Sequence, residues 1–345
     1  MRPMTVGVTL LLASIPAAAF QGNKGANTAQ FLTLGAGARA LGMGEAFGPV
    51  AEGADAIYWN PAGLAQVPGA ELTYTRSELA RYFHHDFAAY AVPIAALSGT
   101  LAASYTRLSQ DSLPVVTNSN AVIGSFAPSS NAMAIAYAHS FDADQGASRL
   151  PERETLSQRW REASIYRPLG YGPGAGSGAL SIGLSAKFIS ETIYDENASA
   201  VAFDGGMLYR PSFPEGLLLS AVFRNVGTKE RFRSEAESLP AELSFGSAYD
   251  YRSDERRLLP ALEVSVPYYG DPSAKVGVEY STPKDSGMTL AARAGYKSQP
   301  ASDISPLAGL TFGAGARWKH LSADLGFEPL AGLGEMYRLS VGFAW

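Results

Sequence analysis

Apolar and polar residues alternate with a period of two along the chain from residue 70 onward. In one such run Glu263, Val264, Ser265 and Val266 follow one another. Because successive side chains of an extended strand point to opposite faces, this pattern predicts strands with one apolar face. Fourteen segments have this pattern: 70–76, 86–95, 99–108, 131–141, 179–193, 199–210, 216–226, 240–252, 257–268, 273–282, 287–297, 308–319, 320–329 and 335–345.

The number and length of these segments favour a membrane barrel. Most are close to the ~9–11 residues with which a tilted strand crosses a bilayer, and an even count suits a closed antiparallel barrel. The other face is rich in Gly, Ser, Ala and Thr, which suits a crowded lumen. We therefore predict an all-β fold, a 14-stranded antiparallel transmembrane β-barrel. A soluble β-sandwich also alternates and stays open as an alternative.

The last strand carries the sharpest local pattern. Tyr337, Leu339, Val341, Phe343 and Trp345 occupy every second position, and the chain ends on an aromatic residue. This segment resembles the C-terminal recognition strand of outer-membrane barrels, which the barrel-assembly machinery binds. An ordinary edge strand is the alternative, but a long exposed apolar edge is an aggregation hazard. Closure against the first strand is the better account.

The N-terminus has the features of an export signal. A positive start at Arg2 precedes a mostly apolar stretch at 6–15 and three alanines at 17–19. This pattern predicts a signal peptide at 1–19, with cleavage after Ala19. Beyond it no apolar run reaches the ~18–20 residues of a membrane helix. The mature chain is therefore expected to be either a soluble exported protein or a barrel in the bacterial outer membrane.

Composition excludes several classes of function. The net charge is −5 with no dense Lys/Arg tract, which gives nucleic acid no electrostatic basis for binding, and there is no cysteine. His84, His85 and Asp86 are the one candidate for catalysis, yet no nucleophile motif or spaced metal-ligand set accompanies them. We expect no catalytic residue, no metal and no cofactor.

The segment 28–66 does not alternate and is rich in small residues. Its motifs, GARALGMGEAF and EGADAIYWNPAGLA, are followed in order by SAKFISETI, FRNVGTKERF, LPAELSFGSAYDY and LGEMYRLSVGF. This series resembles the PorV/PorQ family within the FadL-like outer-membrane barrels. The resemblance implies an N-terminal segment at 20–69 that folds as a hatch inside a barrel formed by 70–345.

The resemblance also implies residues that fix the hatch. These are Arg39, Glu45, Asp55, Asn60, Pro61, Ala62 and Gly63. An unpaired charge in the lumen is costly, so Arg39 is expected to pair with Glu45 or Asp55. These residues are expected to pack the hatch rather than to bind a ligand.

Two functions follow from the resemblance. PorV-like members support export of proteins through the type IX translocon and their attachment to the cell surface, whereas FadL-like members pass small hydrophobic compounds. A role in protein export or surface attachment is the leading prediction. The expected surroundings are outer-membrane lipid and lipopolysaccharide, with translocon or surface-attachment proteins as possible partners.

One connection departs from the family. The stretch 142–178 is long, of balanced charge and glycine-rich at its end. If both chain ends are periplasmic, this connection is periplasmic too, where barrels usually have short turns. We predict either a docking element carrying Trp160 or a mobile insertion.

Overall fold

Fourteen antiparallel strands close into one barrel in the part of the chain that the structure, a computed structural model, describes. That part comprises residues 27–79, 82–118, 120–141, 178–232, 235–253, 256–283, 287–301, 306–330 and 334–345. The strands are β1 (Glu71–Leu79), β2 (Phe83–Ile94), β3 (Gly99–Gln110), β4 (Ser129–Phe141), β5 (Ala179–Ile193), β6 (Glu196–Arg210), β7 (Leu217–Gly227), β8 (Glu242–Tyr249, continued as Tyr251–Ser253), β9 (Arg256–Pro267), β10 (Ser273–Pro283), β11 (Met288–Lys297), β12 (Leu310–Trp318), β13 (Leu321–Pro329) and β14 (Glu335–Ala344).

Each strand pairs with its neighbours in sequence, and the first pairs with the last. The register of β1 with β14 runs from Glu71 opposite Ala344 to Leu79 opposite Met336. The predicted fourteen-stranded barrel is confirmed. The sequence pattern missed two small hairpins, Leu113–Val116 with Val122–Phe126 and Glu230–Phe232 with Glu235–Glu237. Both lie in connections, where strands of three to five residues are too short for a period to show.

We call the end where β1 begins and β14 ends the terminal rim, and the opposite end the far rim. At the terminal rim the backbone N–H of Trp345 donates to the carbonyl of Ala70 at 2.9 Å. The connections between β1 and β2, β3 and β4, and β7 and β8 lie at the far rim. The predicted signal peptide, residues 142–177 and Trp160 lie outside the described residues.

Most large apolar side chains of the strands face away from the lumen. On β14 the apolar side chains of Leu339 and Val341 are about half exposed (52% and 47%). The side chain of Arg338, on the lumen-facing side of the same strand, is fully buried. The same alternation runs through the late strands, so the outer surface of the barrel is an apolar belt. This is the surface that lipid covers in a membrane barrel.

The segment 27–69 lies inside the barrel as the hatch. Its helices are short: 3₁₀ turns at Gln30–Thr33, Gly48–Val50 and Pro61–Gln66, and α1 (Ala38–Gly42) and α2 (Ala56–Trp59). Other helical turns lie in connections, at Ala95–Leu97, Ser298–Ala301 and Pro306–Gly309. No helix in these described ranges combines the length and apolar character needed to span a membrane.

Glycines let the hatch backbone touch the wall directly. A Cβ added to Gly295 of β11 would lie 2.1 Å from the backbone nitrogen of Gly44, and one on Gly277 of β10 would lie 2.2 Å from the carbonyl oxygen of Met43. Only glycine fits where two backbones come this close. The small residues on the polar face of the strands therefore make room for the hatch.

Candidate functional site in the barrel lumen

Arg39 of α1 ties the hatch to the wall through buried ion pairs. Its Nε lies 2.7 Å from Oε2 of Glu279 on β10, and its Nη1 lies 2.5 Å from Oε1 of Glu52. Glu279 also pairs with Arg293 at 2.6 Å, and Arg293 pairs with Asp324 at 2.7 Å. The predicted pairing of Arg39 with Glu45 or Asp55 is wrong. Its partners are Glu52 and a wall residue, because α1 directs the guanidinium toward β10.

Glu45 anchors the hatch to a different part of the wall. Its carboxylate lies 3.5 Å from Nζ of Lys297 and 3.9 Å from Nη1 of Arg338. Lys297 pairs in turn with Glu328 at 2.8 Å. Burial acts to raise the pKa of Glu45, but Lys297 and Arg338 outweigh it and hold that pKa below its usual value.

Asp55 is a buried carboxyl with an unsatisfied oxygen. It precedes α2, but its side chain makes no capping hydrogen bond, and its Oδ1 has no donor in the described structure. Gly37 lies against it, so close that a Cβ there would be 2.6 Å from Oδ2. Burial, followed by the nearby charge of Glu71, raises the pKa of Asp55 to about 7.

The turn at Asn60–Gly63 is held by the side chain of a fully buried asparagine. Asn60 Oδ1 accepts from the backbone N–H of Ala62 at 3.1 Å, and Nδ2 donates to the carbonyl of Gly48 at 3.0 Å. Pro61 presses against Gly183 of β5, where a Cβ would lie 2.2 Å from the Pro61 carbonyl carbon. Asn60, Pro61, Ala62 and Gly63 therefore buttress the hatch against β5 and β6.

An apolar compartment occupies the lumen near the far rim. We use this name for the cluster in which Phe31 and Leu32 of the hatch pack against lumen-facing residues of β4, β5 and β6 and against Leu239. Its other buried members are Ala29, Ala132, Ile189, Ala200 and Ala202. The alternating pattern of the strands did not predict this compartment. The available signal was an apolar Ile189 on the otherwise polar face of its strand.

The wall beside this compartment is irregular. The pairing of β6 with β7 shifts between Phe203 and Gly205, and Asn225 opposite this bulge has a positive φ of 57°. The bulge is held by polar contacts: the backbone N–H of Asn225 donates to Oδ1 of Asp204 at 2.8 Å, and Lys187 Nζ lies 2.8 Å from Oδ2 of Asp204. The bulge interrupts the regular pairing of β6 with β7 at this point.

Two small cavities adjoin the hatch in the described part of the chain. One of about 40 Å³ lies between Trp59, Arg224 and Lys275, and another of about 20 Å³ lies beside Arg39 and Arg317. Each has room for a few waters at most, whereas a cavity that binds benzene is on the order of 150 Å³. In this conformation neither accommodates an aromatic hydrocarbon.

The predicted histidine cluster is divided between the two faces of β2. His84 lies on the outer face, with Nδ1 2.6 Å from Oε2 of Glu78. His85 is fully buried, and neither of its ring nitrogens has a hydrogen-bond partner in the described structure. His85 and Asp86 therefore point in opposite directions and do not form one site. The described ranges contain no group of three or more acidic, histidine or cysteine side chains arranged to hold a metal.

The chain is similar to known proteins at the level of three-dimensional structure alone. No family model and no curated protein sequence matches the chain. The structure of the Pseudomonas putida toluene transporter TodX superposes with a TM-score of 0.52 at 12% identity, covering 89% of this chain and 96% of TodX. The Ralstonia pickettii toluene transporter TbuX gives a TM-score of 0.51 at 9% identity, covering 90% and 97%.

A FadL homologue from Pseudomonas aeruginosa gives a TM-score of 0.50 at 12% identity, covering 89% of this chain and 98% of the homologue. At these identities the likeness concerns the fold. The comparisons provide no sequence-level support for the PorV/PorQ family specifically. The chain shares the barrel fold of these three proteins, and its N-terminal segment lies inside the lumen.

Proposed function

We propose that this protein is an outer-membrane channel for small hydrophobic compounds, closed by its hatch in the conformation described. The observation that carries the proposal is the apolar compartment at the far rim. There the hatch inserts Phe31 and Leu32 against apolar side chains of the inner wall, among them Ile189. A lumen that conducted only water and ions would be lined by polar groups. Withdrawal of Phe31 and Leu32 would leave a pocket suited to an apolar solute.

The comparisons support this proposal over a role in protein secretion. TodX and TbuX are described as toluene transporters, and each is covered over nearly its whole length by this fold. The compartment in this chain has the apolar character that such a solute requires. Transfer of apolar surface from water into such a site is favourable by ~25 cal/mol per Å².

A route out of the compartment leads through the wall at the bulge. Ala202 belongs to the compartment and pairs with Gly227 directly beside the irregular stretch of β6 and β7. The deeper lumen is crossed by ion pairs such as Arg39–Glu279. An apolar solute passing there would strip water from charges, which is costly. Lateral passage at the bulge delivers the solute to lipid and avoids that cost.

A disulfide that fixes the start of the hatch tests the proposal. The backbone nitrogen of Thr28 lies 3.2 Å from the carbonyl oxygen of Ser238, and the chain has no native cysteine. A Thr28→Cys/Ser238→Cys double variant in proteoliposomes should therefore form one disulfide. We expect uptake of radiolabelled toluene to fall at least fivefold in the oxidised protein and to return on reduction. The two single cysteine variants are the controls. Uptake no faster than through protein-free vesicles in every state would contradict the proposal.

A second candidate is the predicted PorV-type role in secretion or surface attachment. Small cavities beside the hatch and its buried ion pairs favour it, because a barrel that serves as a partner for proteins needs a closed lumen. Affinity purification from detergent extract tests it. Recovery of translocon or attachment subunits would support this role, and their absence together with toluene uptake would support the channel.

A further inference from the structure

Two glutamate side chains meet at the mouth of the lumen, where the described part of the hatch begins. Oγ1 of Thr28 lies 3.1 Å from Oε2 of Glu191 on β5 and 2.5 Å from Oε2 of Glu230 in the connection between β7 and β8. Glu191 also accepts from the backbone N–H of Ala29 at 3.1 Å and from the Ser130 hydroxyl at 2.5 Å. Hatch, wall and far-rim connection thus converge on one group of oxygens.

The hydrogen bonds of Thr28 cannot compensate the negative charges of Glu191 and Glu230. The Thr28 hydroxyl has one proton and can donate it to only one of the two carboxylates. Both carboxyl groups lie within hydrogen-bonding distance of the same Thr28 oxygen. Among the described residues neither glutamate forms an ion pair with a lysine or arginine; the described cation of β5, Lys187, pairs with Asp204. Two negative groups therefore face each other without a positive one.

Two buried side-chain oxygens near this point have no hydrogen-bond partner in the described structure. Glu230 is only 1% exposed, yet its Oε1 has no hydrogen-bond partner in the described structure. The buried Oδ1 of Asn27, next to Thr28 in the chain, has none either. Burial, with a further contribution from Glu191, raises the pKa of Glu230 to about 7 although Thr28 opposes this. A buried carboxylate of this kind requires a proton or a cation.

We propose that Glu191, Glu230 and Thr28 bind a divalent cation of the calcium type, which fastens the start of the hatch to the far rim. Calcium takes six to eight oxygen ligands from carboxylates, hydroxyls, amide oxygens and water. The two glutamates supply carboxylate oxygens, the Thr28 oxygen offers a lone pair, and Asn27 offers an amide oxygen. The site binds an ion whichever solute passes the lumen, so it goes beyond the proposed function.

Calcium titration of the full mature chain tests the site. The protein is purified in detergent, freed of lipopolysaccharide and titrated with CaCl₂ by calorimetry. We expect one saturable site with a Kd on the order of 0.1–1 mM, the range of extracellular calcium modules. Glu230→Gln and Glu191→Gln should each weaken binding at least tenfold. Glu215→Gln, at an exposed glutamate of the terminal rim, should leave binding unchanged.

A second readout follows the hatch itself. Calcium should slow hydrogen exchange of residues 27–34 in the wild-type protein and have no such effect in Glu230→Gln. Equal calcium binding by Glu230→Gln and Glu215→Gln would show surface adsorption only and overturn the proposal. Absence of saturable binding by the wild-type protein would also overturn it. Because no transported solute is used, this outcome is independent of the channel test.

Discussion

Arg39 and Glu279 stand 240 residues apart in the chain, yet the Nε of one lies 2.7 Å from Oε2 of the other. This ion pair joins α1 of the hatch to β10 of the wall. Nη2 of Arg39 donates to the second carboxylate oxygen at 3.1 Å, so the pair is bidentate. Both side chains are almost entirely buried. The hatch is therefore fastened to the barrel by charge as well as by close packing.

Removal of one member of this pair should destabilise the protein strongly. In Arg39→Met the carboxylate of Glu279 keeps Arg293 at 2.6 Å and Arg257 at 3.8 Å but loses its bidentate partner. Removal of one member of a buried ion pair costs about 3–5 kcal/mol. We expect a loss of about 3 kcal/mol in the free energy of unfolding, measured by urea titration in detergent. The double variant Arg39→Met/Glu279→Met should show a coupling energy between the two sites. Strict additivity of the two single effects would contradict a direct interaction.

Packing of the hatch against the barrel wall should require glycine at position 295. Gly295→Ala places a methyl group 2.1 Å from the backbone nitrogen of Gly44, so the hatch backbone has to move. We expect faster proteolytic cleavage within residues 27–69 and a lower unfolding temperature. Gly124→Ala is the matched control, because a Cβ there meets no atom within 4 Å. Equal protease resistance of the two variants would show that the hatch does not require this close approach.

Stability should fall as the pH rises through the titration of Asp55. Its pKa is raised to about 7 in the folded protein, by burial first and by Glu71 second. The folded state therefore holds a proton that the unfolded chain releases near pH ~4, and stability declines between pH ~4 and ~7. We expect a decline on the order of a few kcal/mol over this range.

Asp55→Asn should remove much of this decline and should be more stable than the wild type at pH 8. Asp195→Asn, at an exposed turn between β5 and β6, is the control and should retain the wild-type pH dependence. Unfolding free energies measured by urea titration from pH 4 to 8 provide the comparison. If the unfolding free energies of the Asp55 and Asp195 variants change with pH in parallel, Asp55 is not the source of the decline in stability.

Truncation of Phe31 should open the apolar compartment to a small aromatic ligand. Phe→Ala in a packed core costs about 3–5 kcal/mol and leaves a cavity. Phe31→Ala should therefore have a lower unfolding temperature that toluene partly restores. Phe213→Ala, at a position that is 88% exposed, should show neither effect. Failure of toluene to stabilise Phe31→Ala would argue that the compartment collapses instead of admitting solute.

The strands and their two faces can be derived from the order of residues alone. The period-two pattern is a local property, since each residue's side depends only on its neighbours along the strand. This is why Val264 and Ser265 could be placed on opposite faces, and why fourteen strands could be counted. The small residues of 28–66, with their family resemblance, also indicated that this segment lies in the lumen.

Which lumen-facing groups meet depends on the closure of the barrel around the hatch. Strand tilt and stagger set which side chains oppose one another across a closed barrel, and neither is encoded in a local period. Arg39 therefore pairs with Glu279 rather than with Glu45, and Glu191 meets Glu230. The apolar compartment arises in the same way, because Ile189 finds Phe31 of a segment 158 residues earlier only once the barrel has closed around the hatch.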